Sequence, residues 1–398
     1  MKRLMVLGAS LAIACGGEPP APPIVQDSSG VAIVQNFGPS WTPNERWYVD
    51  DSPLVDIGAA IGPEYQLSRV IRSTRLDDGT IVVADGGTQD LRWYDANGNH
   101  MRSVRGSTTF ASVEWIGRLG SSSVIVFDFG NLRLSLFDGA GELQQMGSLV
   151  VTFQASPSSV KGVFADSSVL AVRGVKSWAP TMIRSGEAPE GLVRGPAAGF
   201  RYSADGTFMN SVGIFLGAQR IFSTGQSRFV RVTPPPFGRT AVFAVSKDRF
   251  YVGTQDKYEV SIFSLDGSLR TIVKLERENT PTTEVDIDRY KRTRLAGVHE
   301  LQKEDRQRQL DALPFPETMP AYGRIEVDLE GNLWVADARP FGDEPNRWTV
   351  FGPDHRILGA VDTPRDLVVH AIGSDYVMGS VKEDDKDHVR VYRLVKPN

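Results

Sequence analysis

Residues 78–98 read DGTIVVADGGTQDLRWYDANG, and residues 330–354 read EGNLWVADARPFGDEPNRWTVFGPD. Both run through a Gly-containing turn, an apolar strand, a loop, an amphipathic strand with an aromatic, and a second Gly-containing turn. Such a unit cannot bury its own apolar faces. A chain made of copies must stack them, and the number of copies sets the architecture.

Six copies are readable. Strands fall near 67–75, 80–85, 90–94 and 100–105 in the first unit, and near 112–118, 123–128, 132–137 and 143–149 in the second. The third has VLAVRG at 169–174 and a strand pair within 199–215; the fourth spans 240–275 and the fifth 325–361. The sixth, 366–395, supplies only three strands, and SPLVDIG at 52–58 resembles the end of a fourth strand such as MRSVRG at 101–106. A ring closed in this way has no free sheet edge. The expected fold is all-β: a six-bladed β-propeller over residues 30–398, closed by an N-terminal strand, with a helical insertion between blades four and five.

The tight turns carry residues that tolerate positive φ: Asp78-Gly79, Asn97-Gly98, Gly139-Ala140-Gly141, Asp205-Gly206, Asp266-Gly267 and Glu330-Gly331. All join strands one to two or three to four, so they share one face. Long connections fall on the other face, at 174–198, 216–239 and 276–322. Long loops gathered on one side of a rigid scaffold are where binding sites are usually built. Trp93, Phe137, Phe263, Trp334 and Phe351 are expected to pack between blades.

Within 281–314, Thr282 or Thr283 followed by Glu284 and Asp286 predicts a helix start, and Pro314 predicts its end. Ile287, Tyr290, Val298, Leu301, Leu310 and Leu313 suggest an apolar stripe on a helix broken near Gly297. This element is read as packing, a lid or a docking surface.

The chain opens MKRLMVLGASLAIACGGEPPAPP, with two cations, a short apolar run over 4–14 and a small residue before Cys15. That pattern reads as an export signal over 1–14 rather than a membrane span. AIAC resembles the lipobox of bacterial lipoproteins, which implies acylation of Cys15, and Gly16 after it implies an outer-membrane destination. The alternative is an ordinary cleaved signal. Residues 15–29 are expected to form a flexible tether leaving from the tight-turn face. A net charge of -4 without a basic block argues against nucleic-acid binding through phosphate neutralisation.

The recurring (I/L)-x-V-x-D strand, the third strand ending in F/Y-D and the Gly-containing turn resemble NHL-related six-bladed propellers. DSSGVAIVQN, SPLVDIG, YQLSRV and GNLWVAD together resemble a group of exported bacterial six-bladed propeller proteins, over roughly residues 28–395. The resemblance implies a fold and is silent on activity.

No Walker loop, GxGxxG, HExxH, GxSxG, CxxC or EF-hand loop occurs in the sequence. Asp85, Asp128 and Asp337 follow second strands and point toward the loop face, with Gln89, Asn131, Thr254 and Gln255 nearby. Related six-bladed lactonases and lyases hold a divalent ion near the axis with acid and amide ligands, which makes these acids candidates for a calcium-like cation. The competing reading has them cap loops by accepting backbone N–H bonds, with no cofactor. Arg173, Lys176, Arg184, Arg194, Arg220, Arg228, Arg231, Arg239 and Arg339, with Trp178, form a cationic group on the same face. The expected function is a membrane-anchored, extracytoplasmic binding or scaffold module for a protein, peptide or glycan; the alternative is a metal-dependent hydrolase or lyase of the lactonase type.

Overall fold

A computed structural model describes residues 21–42, 44–151, 157–174, 183, 190–224, 230–338 and 345–397. Its strands form six sheets of four to six strands. Sheet I comprises Val70–Arg75, Ile81–Asp85, Asp90–Tyr94 and His100–Val104. Sheet II comprises Val113–Leu119, Ser123–Asp128, Arg133–Asp138 and Leu143–Ser148. Each is an antiparallel meander in sequence order, as the alternating apolar runs and Gly turns dictate. At Gly98 and Gly331 the turns hold φ of 85° and 93°, where a Cβ would be strained. The preceding aspartates complete these turns: Asp95 Oδ1 accepts from Asn97 and Asn99 N–H at 2.9 and 2.8 Å.

Sheet III departs from the sequence reading. After Ser159–Val163 and Val169–Arg173 come the long strands Gly191–Tyr202 and Phe208–Thr224, then Val230–Thr233. The stretches 174–198 and 216–239, expected as loops, are therefore partly a β-hairpin that runs on past the loop end of its sheet. Gly191 pairs with Phe222, and Val230–Thr233 pairs with Ile221–Thr224. Bulges after Arg194 and Gly199 break the strict alternation, which is why the pattern did not read as strand.

Sheet IV is Val242–Ser246, Arg249–Gly253, Glu259–Ser264 and Leu269–Leu275. Two N-terminal strands extend it: Val31–Asn36 runs parallel to Leu269–Leu275, and Ile24–Ser28 pairs outside that. Part of the expected tether is thus an edge strand. Ile24 stands opposite Gln35, which stands opposite Lys274, so the chain enters level with the loop end, not the tight-turn end. Asn36 is fully buried; its Oδ1 accepts Ile357 N–H at 2.8 Å, and its Nδ2 donates to the carbonyls of Lys274 and His355 at 3.1 and 3.2 Å.

The chain then crosses the outside of sheet V, made of Ile325–Val327, Leu333–Ala336, Asn346–Phe351 and Ile357–Thr363. Ser40 and Trp41 donate their N–H groups to Leu358 O at 2.9 and 2.8 Å, and the Trp47 ring lies 6.1 Å from that of Trp334. Tyr48–Ile57 finally joins sheet VI, antiparallel to Lys386–Val395 with Val55 opposite Val391. Val368–Ile372 and Tyr376–Glu383 complete that sheet.

The apolar core lies between sheets. Trp93 of sheet I packs with Val124 and Phe137 of sheet II, and Phe127 of sheet II packs with Phe200 and Tyr202 of sheet III. Further clusters join III to IV, IV to V and V to VI. A sixth unites Val55, Met378 and Val389 of sheet VI with Ile81 and Tyr94 of sheet I. The first strands of successive sheets touch in order, and Val368–Ile372 touches Val70–Arg75. The arrangement is all-β and propeller-like. Fully buried Trp93 and Trp334 each contribute roughly 2–3 kcal/mol of transfer free energy.

The 276–322 insertion holds two helices, Glu284–Leu295 and Glu300–Asp311. Thr283, not Thr282, is the N-cap: its side chain accepts Asp286 N–H while Asp286 reaches back to Thr283 N–H. The break falls at Gly297, whose φ is 76°. Tyr290 and Leu310 pack with Phe237 and Met319, but Leu301 is 88% exposed. The expected stripe is therefore split, because the two helices fold against one another instead of continuing as one. Among the described residues no helix is long and apolar enough to cross a membrane.

Candidate functional site

Of the three sequence-predicted acids, Asp85 and Asp128 are buried against their own loops, and Asp337 is half-buried. Asp85 Oδ1 accepts from Gly87 N–H, Ser68 Oγ and Arg69 N–H at 2.9, 3.2 and 3.3 Å, and its Oδ2 accepts from Arg92 at 3.2 Å. Asp128 accepts Ser112 N–H at 2.8 Å, Ala111 N–H at 3.1 Å and Asn131 Nδ2 at 2.6 Å. Burial opposes ionisation of Asp128, but the bonds from Ser112, Ala111 and Asn131 outweigh it and hold the carboxyl below its ordinary value. Asp337 accepts from Arg277 at 2.8 Å. Among the described residues no three acid, histidine or cysteine side chains converge as a metal set. In this arrangement Asp85 and Asp128 accept bonds within their own loops, and Asp337 pairs with Arg277.

Gln89 and Gln255 occupy equivalent loops in sheets I and IV, with φ of 60° and 65°. The strain is repaid by bonds between sheets. Gln89 Oε1 accepts Val113 N–H at 2.7 Å at the entry to sheet II. Gln255 Oε1 accepts Thr240 N–H at 2.7 Å, and its Nε2 donates to Tyr322 O at 2.9 Å at the entry to sheet V. These two side chains are fasteners.

Two of the loop-face arginines meet at one carboxylate. Arg194 donates to both oxygens of Asp256 at 2.6 and 2.7 Å and to Gly217 O at 3.0 Å. Arg239 Nε lies 3.7 Å from Asp256, and its Nη2 donates to Thr318 Oγ1 at 2.9 Å. Thr254 contributes only its carbonyl, as an acceptor from Arg194. The cluster braces the sheet III hairpin against sheet IV and the helical insertion. Arg173 ends its strand beside Gly174 and is half-buried. Cys15, Lys176, Trp178, Arg184, Arg228 and Arg339 lie outside the described residues.

On the loop side, a pocket of about 300 Å³ opens at the root of the sheet III hairpin, walled by Glu114, Lys161, Ala197, Arg220, Thr240 and Phe243. Arg220 donates to Gln219 O at 2.7 Å. Burial lowers its pKa from the ordinary value, yet an arginine remains a cation at any physiological pH.

A second cavity of about 320 Å³ lies on the axis, and the sequence reading missed it. All six first strands line it, through residues such as Arg72, Gly117, Lys161, Ala244, Val327 and His370. Residues just past the strand ends, Gly120, Ala165, Lys247 and Leu329, also line it. It therefore lies toward the tight-turn end. In its wall His370 is buried, its Nδ1 3.0 Å from both the N–H and the Oγ of Ser73 and its Nε2 3.3 Å from Ser380 Oγ. The available signal was a cation in each of three innermost strands, VIRSTR, VEWIGRL and SVKGV.

No family model matches the chain, and no curated protein matches it. Solved structures of similar chain path include an exported-protein candidate from Bacteroides fragilis, 8% identical over 92% of this chain and 100% of that one, with a TM-score of 0.49. A streptogramin B lyase is 9% identical over 88% of this chain and 97% of that one, with a TM-score of 0.43. A DUF4221 family member from Bacteroides vulgatus is 10% identical over 89% and 99%, with a TM-score of 0.45. At these identities the likeness assigns no chemistry to this chain.

Proposed function

We propose that this chain is an extracytoplasmic β-propeller of six blades, NHL-like in its repeat and closed by Tyr48–Ile57. We further propose that it is lipid-anchored to the outer membrane through Cys15 and that it is a non-catalytic binding module. Its partner is a protein, peptide or glycan taken at the loop side. The observation that carries the reading is the Arg220 pocket, set at the root of a hairpin that outgrows its sheet. Rigid strands hold the pocket floor while the hairpin, through Pro196, Ala197, Gly217 and Arg220, builds its rim, which is the arrangement a recognition surface needs. The occupied lone pairs of Asp85 and Asp128 point the same way. A signal ahead of Cys15 supports export, and several acyl chains on one residue would give a stable anchor.

The test is equilibrium binding of the protein carrying Cys15→Ser to peptide and glycan arrays, beside turnover assays on lactones and esters. The expected result is a saturable ligand whose affinity falls tenfold or more in Arg220→Ala. Turnover of a lactone or ester, or a ligand indifferent to Arg220→Ala, overturns the reading.

A further inference from the structure

The axial cavity carries an inference that does not rest on the loop side. Its lining includes five cations, Arg72, Arg75, Arg118, Lys161 and Lys247, against two acids, Glu326 and Asp328. The acids are committed. Asp328 is 3% exposed and accepts from Glu330 and Asn332 N–H and from the Asn332 and Trp334 side chains, all between 2.8 and 3.0 Å. Glu326 is shared by two guanidinium groups, Arg324 at 3.0 Å and Arg72 at 3.6 Å. Arg118 pairs with Asp77 at 2.6 Å, and Asp77 is not part of the cavity wall. Arg75 stacks on the Tyr376 ring at 4.9 Å, a contact that fixes the guanidinium without neutralising it.

Positive charge of this density inside low-dielectric walls concentrates anions. Guanidinium forks held by packing match the planar or trigonal edges of carboxylate and phosphate, because their orientation is already fixed before the ligand arrives. The buried His370 reports the same field: burial first, then Arg72 and Arg324, push its pKa well below the ordinary value. At about 320 Å³ the space is at the lower end for ligand sites and suits one small molecule.

We propose that the axial chamber is a binding site for a small oxyanionic molecule, one carrying phosphate groups or clustered carboxylates, admitted from the tight-turn side. Arg75, Arg118 and Lys247 hold the ligand at the mouth, and Arg72 receives it deeper.

Titration calorimetry of the Cys15→Ser protein with pyrophosphate and with citrate, at constant ionic strength, tests this. Saturable one-to-one binding is expected for at least one probe. It should weaken at least tenfold in Arg75→Gln/Lys247→Gln and stay unchanged in Arg270→Gln, an exposed cation on the outer part of sheet IV. Should the double variant fail to fold, Lys247→Gln alone, at an exposed position, is expected to lose severalfold. No saturable heat, equal loss in Arg270→Gln, or loss confined to Arg220→Ala would overturn the proposal, the last by moving the anion to the loop-side pocket.

Discussion

His370 Nδ1 accepts the backbone N–H of Ser73 at 3.0 Å, across the seam where sheet VI meets sheet I. That bond sets the tautomer: Nδ1 must carry a lone pair, so the proton sits on Nε2 and points to Ser380 Oγ at 3.3 Å. Protonating the ring would turn Nδ1 into a donor facing a donor, beside Arg72 and Arg324, with Glu326 the acid nearest those two.

Stability should therefore depend on pH through this residue. The folded-state pKa lies well below the usual value, so between the two values the unfolded chain binds the proton and the folded chain does not. The contribution is complete above about 6.5, the ordinary histidine value, and is lost as pH falls through the folded pKa. Urea melts at pH 7.5 and 5.5 should show a drop that His370→Gln reduces; an equal drop in both proteins would refute the assignment. The same substitution should cost about 1–3 kcal/mol at pH 7.5, as Ser73 N–H loses its fitted acceptor.

Asn36 ties the N-terminal strands to sheets IV and V by three bonds between 2.8 and 3.2 Å. Asn36→Ala leaves Ile357 N–H without its acceptor and takes a donor from the Lys274 and His355 carbonyls, and should cost about 2–4 kcal/mol by chemical denaturation. Asn36→Asp restores the acceptor but not the donor, and should also destabilise.

Asp128 should act as a structural cap and not as a cation ligand. Its carboxyl sits below its ordinary value, so its stabilising effect is present above about pH 3.9, the unfolded value, and fades as pH falls through the folded one. Asp128→Asn should lower stability by about 1–3 kcal/mol at neutral pH. Calcium, added after chelation, should leave the melting temperature of the parent protein where it was; a rise of several degrees would restore the acid as an ion site.

Thr283 caps the first inserted helix, and Thr283→Ala should cost that helix about 0.5–2 kcal/mol. Because the insertion packs through a small cluster of its own around Phe237, Tyr290 and Leu310, hydrogen exchange should quicken in 284–295 while the sheets stay protected. Uniform loss of protection would show that the insertion and the sheets unfold as one unit.

The sheets were legible because period-two alternation and Gly turns are local signals: the strand limits of the first two units match the structure to within a few residues. Tyr48–Ile57 was legible because the sixth unit lacked a strand. The hairpin of sheet III was not, since bulges at Arg194 and Gly199 scramble alternation. The bonds of Gln89 and Gln255 were not legible for another reason. An amide beside an acid looks like a ligand set in one dimension, and only the fold shows Gln89 turned to Val113 N–H and Gln255 to Tyr322 O, each at the entry to the next sheet. The axial cavity was invisible for the same cause, since Arg72, Arg118 and Lys161 are far apart in sequence and meet only when the sheets assemble.

The path of the first sixty residues bears on how the molecule is born. Val31–Asn36 must wait for Leu269–Leu275, and Tyr48–Ile57 for Lys386–Val395, so two early strands find their partners far downstream. Such pairings carry high contact order, and their loop-closure entropy is met before any contact rewards it. During synthesis sheet IV thus gains its outer strands only once Leu269–Leu275 is made, and sheet VI its last strand only once Lys386–Val395 is. Synthesis order therefore runs against pairing order: the sheet whose other strands are made last is completed by a strand made near the start.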